Sequence, residues 1–111
     1  AWRNDPSAMP LNELTAMATE NAGKALGLEI GKIREGALAD ILIVDTQNYN
    51  FLSPGSFEAN FVYSAHSDCI DSVICNGKFV MRSRVVEGEK EILAEAAKVM
   101  SKLPSLESLE A

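Results

Sequence analysis

The chain has 111 residues, of which 47% are apolar and 23% are charged, and this composition is typical of one globular domain with one modest core. Its formal net charge of −6 argues against a nucleic-acid partner, because phosphate backbones attract basic proteins. One histidine and two cysteines are too few for a metal site built on several imidazoles or for a disulfide framework. A complete (β/α)₈ barrel, which needs roughly 250 residues, is also excluded.

The pattern of apolar residues and cysteines predicts a cytoplasmic protein without a membrane partner. No apolar run approaches the roughly 18 residues of a membrane span, and the first ten residues contain no apolar signal-peptide segment. Cys69 and Cys75 flank a predicted strand about 20 Å long. A disulfide requires Cα atoms within about 7 Å, so we predict two free thiols.

The N-terminal part predicts two short helices or one bent helix. Residues 1–9 are polar and predict a lead-in loop, and Pro10 suits the start of a helix. Apolar residues then recur at helical spacing. Thr19 is predicted to interrupt this pattern and to cap a second helix over residues 20–26, which Gly27 ends.

A strand and a loop are predicted next. Residues 41–44 form an unbroken, β-branched apolar run between two aspartates, which predicts a strand buried on both faces. Residues 46–59 contain Pro54-Gly55 and predict a loop. Residues 61–63 fit either a short strand or one helical turn.

The clearest local signal is a hairpin that begins at Ile70. Asn76-Gly77 predicts its two-residue turn, because both positions of a type I′ turn need positive φ. The second strand is expected to start at Lys78, and residues 85–86 are predicted to extend it. Gly88 is expected to end the sheet.

A helix is predicted over residues 89–103, with acidic residues in its first turn and Lys102 in its last. Pro104 stops it, and the tail 105–111 is expected to fray. We favour an ordinary surface helix over a membrane-docking one, because its polar face is acidic. Its apolar stripe consists of Ile92, Ala96, Val99, Met100 and Leu103.

His66 is the first residue to consider for chemistry. It lies near Asp68 and Asp71, so it could form an acid–base pair or ligate a metal. The chain has no further histidines to complete a closed metal site. We therefore favour a surface-loop histidine that precedes a strand.

Three other candidates are better explained by structural roles. Asp40 and Asp45 lie about 16 Å apart along the predicted strand, which is too far for joint acid–base work, and Asp40 is expected to cap local backbone N–H groups. Cys75 could be a nucleophile with Lys78 beside it, but an ordinary half-buried strand cysteine is favoured. The glycines of residues 31–36 neither follow a strand nor open a helix, so a phosphate-binding loop is not expected.

Three segments in one order resemble a known family: LTAMATENAGKALGLE (14–29), IGKIREGALADILIVD (30–45) and FVYSAHSDCIDSVICNGKFVMRSR (61–84). Together they resemble the C-terminal end of the metal-dependent amidohydrolase superfamily. The branch that they resemble is the cytosine-deaminase-like group, with its triazine chlorohydrolases and methylthioadenosine and S-adenosylhomocysteine deaminases. The resemblance covers roughly residues 10–103. One departure is Asn21-Ala22-Gly23, where the family usually has Asn-Gly-Ala.

The resemblance implies an α+β fold with a small antiparallel or mixed sheet, flanked by N-terminal helices and a C-terminal helix. Residues 1–27 would end the family's barrel, residues 28–87 would form part of its β-sandwich, and residues 88–111 would be a helix and tail. The parent would hydrolyse a C–N or C–Cl bond on a heterocycle. It would use zinc or iron held by a His-x-His pair, two later histidines and an aspartate.

None of those functional residues maps onto this chain, and His66 matches no ligand position. We therefore expect no catalytic, cofactor-binding or metal-ligating residue here, and no catalysis by the chain alone. The expected partners are the rest of the parent barrel and N-terminal sandwich strands. An isolated chain is expected to dimerise or swap elements to cover its sheet edges. The alternative hypothesis is a stand-alone module whose β-edge binds a partner without catalysis.

Overall fold

The computed structural model describes residues 8–105 and 107, and it has the α+β composition expected from the sequence. The expected lead-in loop 1–9 and the tail 105–111 lie mostly outside the described residues. Two 3₁₀ turns, at Tyr49–Phe51 and Ser67–Cys69, join the main elements. In chain order these elements are α1 (Leu11–Ala18), α2 (Glu20–Leu26), β1 (Ile41–Val44), α3 (Phe57–Tyr63), β2 (Ile70–Cys75), β3 (Lys78–Arg82), β4 (Val85–Val86) and α4 (Glu89–Ser101).

The two N-terminal helices form as predicted, but Thr19 does not cap the second one. Its hydroxyl donates a hydrogen bond to the Thr15 carbonyl in α1, at 2.7 Å. This bond directs the hydroxyl back toward α1, and the hydroxyl makes no capping hydrogen bond with the first amides of α2. Gly27 ends α2 in the left-handed conformation, with φ of 70°, as its position predicts.

The four strands form one antiparallel sheet in the order β1-β2-β3-β4. The predicted hairpin joins β2 to β3, and Asn76 and Gly77 have φ of 49° and 78°. These positive values are the ones that a type I′ turn requires. The local dipeptide therefore sets the register next to the turn, and an irregularity between Val73 and Ile74 shifts the register farther along the strands.

Residues 85–86 do not extend β3, and that prediction was wrong. They form the separate strand β4, which turns back to pair with β3. Ser83 and Arg84 make this turn with φ of 50° and 65°. Neither residue is the glycine or asparagine that marks such a turn in a sequence, and contacts with β2 hold them in place.

The predicted loop over residues 46–59 is shorter than expected, because α3 begins at Phe57. The Ser56 hydroxyl accepts a hydrogen bond from the Ala59 amide at 3.1 Å and caps the helix. Residues 61–63 are therefore helical and not a strand. The rings of Phe51, Phe57 and Phe61 stack in series, with centroids 5.8 and 5.7 Å apart.

Helix α4 starts after Gly88 as predicted but ends at Ser101, two residues before the expected Leu103. The Ser101 hydroxyl donates a hydrogen bond to the Lys98 carbonyl at 2.7 Å, within the last turn. Lys102 consequently lies at the C-cap position, and Lys98 is the basic residue of the last turn.

The chain does not enclose a core of its own. Its radius of gyration is 19.5 Å, whereas a compact domain of this length has about 13 Å. Among the described residues, Cys69 is the one apolar residue that is fully buried. Leu42 and Ile43 of β1 are 53% and 41% exposed, so the prediction of a strand buried on both faces was wrong for this chain.

Candidate functional site

His66 is exposed and precedes the 3₁₀ turn Ser67–Cys69. In the described part of the chain, no hydrogen bond or salt bridge joins its imidazole to Asp68 or Asp71. Both aspartates contact Arg84 instead, Asp68 through its carbonyl and Asp71 through its carboxylate. The His–Asp pair considered from the sequence is therefore not formed.

The described residues also contain no group of three or more histidine, cysteine, aspartate or glutamate side chains that could hold a metal ion. The two cysteines are both free, as predicted, with Cys69 buried and Cys75 exposed. Cys75 pairs with Lys78 across the hairpin turn. The expectation of a half-buried cysteine was wrong at position 75, because the hairpin end projects into solvent.

Asp40 has the structural role that the sequence predicts, but its partner is distant in sequence. Its Oδ1 accepts a hydrogen bond from the Asn76 amide at 2.7 Å. Next to it, the Ala39 carbonyl accepts a hydrogen bond from the Gly77 amide at 2.9 Å. These two hydrogen bonds join the start of β1 to the turn of the hairpin. The prediction that Asp40 caps a local backbone N–H was wrong, because the N–H that it accepts from belongs to Asn76, 36 residues away.

The turn over residues 31–36 places its basic side chains against carboxylates. Arg34 forms an ion pair with Glu29, and the Lys32 ammonium lies 3.5 Å from the Glu20 carboxylate. Because both basic side chains are paired with carboxylates, these pairs oppose anion binding at this turn.

A polar cluster surrounds Arg84, which sequence analysis did not single out. Its guanidinium contacts the Asp45 carboxylate at 3.0 Å and the Asp71 carboxylate at 3.3 Å, and its Nε donates to the Asp68 carbonyl at 3.2 Å. One side chain therefore ties the end of β1, the start of β2 and the β3–β4 turn together. Asp45 and Arg84 are 39 residues apart, so no local pattern in the sequence predicts their contact.

The pKa of the Asp45 carboxyl is held below its ordinary value of 3.8, first by the hydrogen bond from the Gln47 amide and then by Arg84. A carboxylate with a lowered pKa stabilises the fold above the pKa of the unfolded chain and loses that contribution as the pH falls through the folded pKa.

We expect Asp45→Asn to lower the thermal midpoint near neutral pH, because asparagine keeps an acceptor for Gln47 but loses the ion pair with Arg84. The difference from the wild type should begin to shrink as the pH falls below 3.8, the ordinary pKa of the carboxyl, and should be lost once the pH has fallen through the lowered pKa of folded Asp45. Thermal unfolding at a series of pH values, followed by circular dichroism, measures this difference. A difference that stays constant with pH would contradict the ion-pair explanation.

Similarity to known proteins identifies the family of this chain, which the geometry of the described residues alone does not. The family model described as "Amidohydrolase family" matches residues 1–80. This chain belongs to the amidohydrolase family. The resemblance seen in the three sequence segments is thereby confirmed.

The curated amidohydrolases that match this chain are much longer than it is. The chain is 41% identical over 108 residues to a 5-methylthioadenosine/S-adenosylhomocysteine deaminase of Aquifex aeolicus, and the match covers 92% of this chain and 25% of that protein. It is 36% identical over 100 residues to a 5′-deoxyadenosine deaminase of Methanoregula boonei, covering 90% and 23% of the two chains. The chain therefore spans about a quarter of the length of these relatives.

Solved amidohydrolase structures share the fold. A zinc-bound adenosine deaminase from Xanthomonas campestris superposes with a TM-score of 0.81 at 23% identity, over 91% of this chain and 24% of that one. A triazine hydrolase variant gives a TM-score of 0.75 at 22% identity, over 93% and 24%. Within the residues that the structure describes, no helix is long and apolar enough to cross a membrane.

Proposed function

We propose that this chain is the C-terminal portion of a metal-dependent amidohydrolase that deaminates a 5′-substituted adenosine, and that it supports the active site without forming it. The observation that carries this proposal is the 41% identity to a deaminase of which the chain covers only a quarter. Further relatives named as deaminases of methylthioadenosine, S-adenosylhomocysteine or 5′-deoxyadenosine support the same substrate class. Hydrolysis of a C–Cl bond has no such support, because the triazine hydrolase neighbours are 21% and 22% identical and support the fold alone.

The catalytic metal, zinc or iron, belongs in this proposal to the part of the protein outside the chain. Such an ion would lower the pKa of a bound water and so supply the hydroxide for hydrolysis. The residues here do not fit it: the sequence has one histidine, and His66 belongs to no group of three or more possible ligands among the described residues. No catalytic step is therefore assigned to a residue of this chain.

The role that we assign to the chain is architectural. Residues 1–27 would close the barrel, residues 28–87 would form part of the β-sandwich, and residues 88–111 would follow as helix and tail. Exposed apolar side chains on β1, such as Leu42 and Ile43, support this arrangement. So does the outer edge of β1, which pairs with no strand of the described residues. Strands from the N-terminal part of the parent would cover both, since sheet edges in stable proteins are paired or blocked.

The test is a chimeric enzyme. The last quarter of the Aquifex aeolicus deaminase is replaced by this chain, and deamination of methylthioadenosine is followed by the change in adenine absorbance. We expect a folded, zinc-dependent enzyme, because the two segments share sequence and fold over nearly the whole chain. Two matched controls are the same enzyme with its last quarter deleted and the 111-residue chain with added zinc, and we expect no turnover from either.

Turnover by the 111-residue chain alone would contradict the proposal. A chimera that folds and binds zinc but lacks activity would instead favour a β-edge interaction module. A cytoplasmic location is part of the proposal, and it is supported by the two cysteines that stay unpaired in the structure.

A further inference from the structure

Helix α4 (Glu89–Ser101) carries an apolar surface that no other described residue covers. Every residue of this helix is exposed. Its large apolar side chains are exposed by more than half, including Ile92 at 62% and Val99 at 58%. The same is true of Leu103, just beyond the helix, at 58%. Such an uncovered apolar surface indicates that another protein surface packs against the helix, since large apolar patches on soluble proteins mark interaction sites.

The order of residues along α4 indicates what kind of partner fits. Ile92, Ala96, Val99 and Leu103 are spaced by four, three and four positions, which is the spacing of an a/d seam between two helices. At about 100° per residue, the two flanks of this seam differ. One flank is apolar and consists of Leu93 and Met100. The other flank is charged and consists of Glu95 and Lys102.

We propose that α4 binds α4 of a second copy of this chain in an antiparallel helix pair. In that arrangement Ile92 faces the second copy's Leu103 position, and Ala96 faces its Val99 position. The apolar flanks then meet each other, and so do the charged flanks. A parallel pair would instead place the charged flank of each helix beside the apolar flank of the other, so the match between flanks favours the antiparallel orientation.

The charged flank is the observation that favours a second copy over another partner. In the antiparallel pair, Glu95 of each helix lies beside Lys102 of the other, and the two-fold axis generates this contact twice. Within one helix, Glu95 contacts only Lys98, at 3.5 Å in an exposed pair. A pair of helices about 20 Å long is smaller than a standard protein interface, so we expect a weak dimer.

The test is charge reversal in the 111-residue chain, with self-association measured by sedimentation equilibrium. Glu95→Lys and Lys102→Glu are each expected to raise the dimer dissociation constant by roughly tenfold, because each places two like-charge contacts at the seam. The double variant is expected to restore wild-type association. Circular dichroism confirms that helix content is unchanged in each variant.

Lys90→Glu is the matched control, since it makes the same charge change on the opposite side of α4 and should leave association unchanged. Val99→Asp, in the seam, should abolish the dimer. A wild-type chain that is monomeric at every concentration would overturn the proposal, as would a dimer that is insensitive to Val99→Asp. The proposal rests on α4 alone, so failure of the deaminase chimera would leave it standing.

Discussion

Replacing Gly31 with alanine is expected to lower the free energy of unfolding by at least about 2 kcal/mol, because two independent costs add at this position. Gly31 has a φ of 90°, which residues with a side chain rarely adopt. A Cβ there would also lie 2.5 Å from the Thr19 carbonyl carbon and 2.6 Å from the Glu20 nitrogen. Both atoms belong to the backbone junction between α1 and α2, so they cannot move aside as a flexible side chain would.

Gly36→Ala is the matched control for this experiment. Gly36 has nearly the same φ, 87°, but nothing lies within 4 Å of the Cβ that alanine would add. We expect this variant to lose only the conformational cost, about 1 kcal/mol. Urea unfolding followed by circular dichroism gives both values. Equal losses in the two variants would show that the close approach between this turn and the α1–α2 junction contributes nothing.

Ser72→Ala is expected to cost about 1–3 kcal/mol, although the substitution removes only one oxygen atom. Ser72 is 3% exposed. Its hydroxyl donates a hydrogen bond to Asp71 Oδ2 at 2.7 Å and accepts one from the Ser83 amide at 3.1 Å. Alanine would leave the Ser83 N–H without this acceptor, in a turn that already has a positive φ. We therefore expect β4 to detach before the rest of the sheet unfolds.

Ser64→Ala is a suitable control, because Ser64 is exposed and its side chain makes no hydrogen bond among the described residues. We expect a change within about 0.5 kcal/mol, as for most surface substitutions. Thermal unfolding of both variants makes the comparison, and amide hydrogen exchange at residues 83–86 locates the loss. Equal stability of the two variants would mean that the buried hydroxyl is not required for the β3–β4 turn.

The elements that were predicted well depend on residues close together in the chain. Asn76-Gly77 specifies its own turn, because those two residues tolerate positive φ where others do not. Gly27 ends α2 for the same reason. The acidic first turn of α4 and the apolar run of β1 were likewise readable from neighbouring residues.

The predictions that failed depend on residues far apart in the chain. The β3–β4 turn has Ser83 and Arg84 in a conformation that their own preferences disfavour, and contacts with Ser72, Asp71 and Asp45 hold it. Thr19 is a local exception: it was predicted to cap α2, but its hydroxyl donates a hydrogen bond to Thr15, four residues earlier in α1. In each case a hydrogen bond or ion pair outweighs a local tendency of about 1 kcal/mol.

The candidate site likewise has features that the sequence predicts and features that depend on contacts between distant residues. The expectation of no metal centre in this chain rests on the sequence alone, because one histidine and two cysteines can be counted without coordinates. The sequence also identified the amidohydrolase family from three ordered segments, which the family model confirms. The sequence did not predict the Arg84 cluster. Asp45 and Asp71 come within reach of one guanidinium only after β1, β2 and the β3–β4 turn have assembled.

For this protein, the sequence by itself determined α1, α2, the start of α4, the central hairpin and the family. Those properties follow from the preferences of neighbouring residues and from composition. Only the tertiary structure decided that β1 is exposed on both faces, that Ser83 and Arg84 reverse the chain, and that the α4 stripe is uncovered. Burial and long-range pairing depend on which surfaces meet in space, and the periodicity of a segment does not encode whether its partner belongs to the same chain.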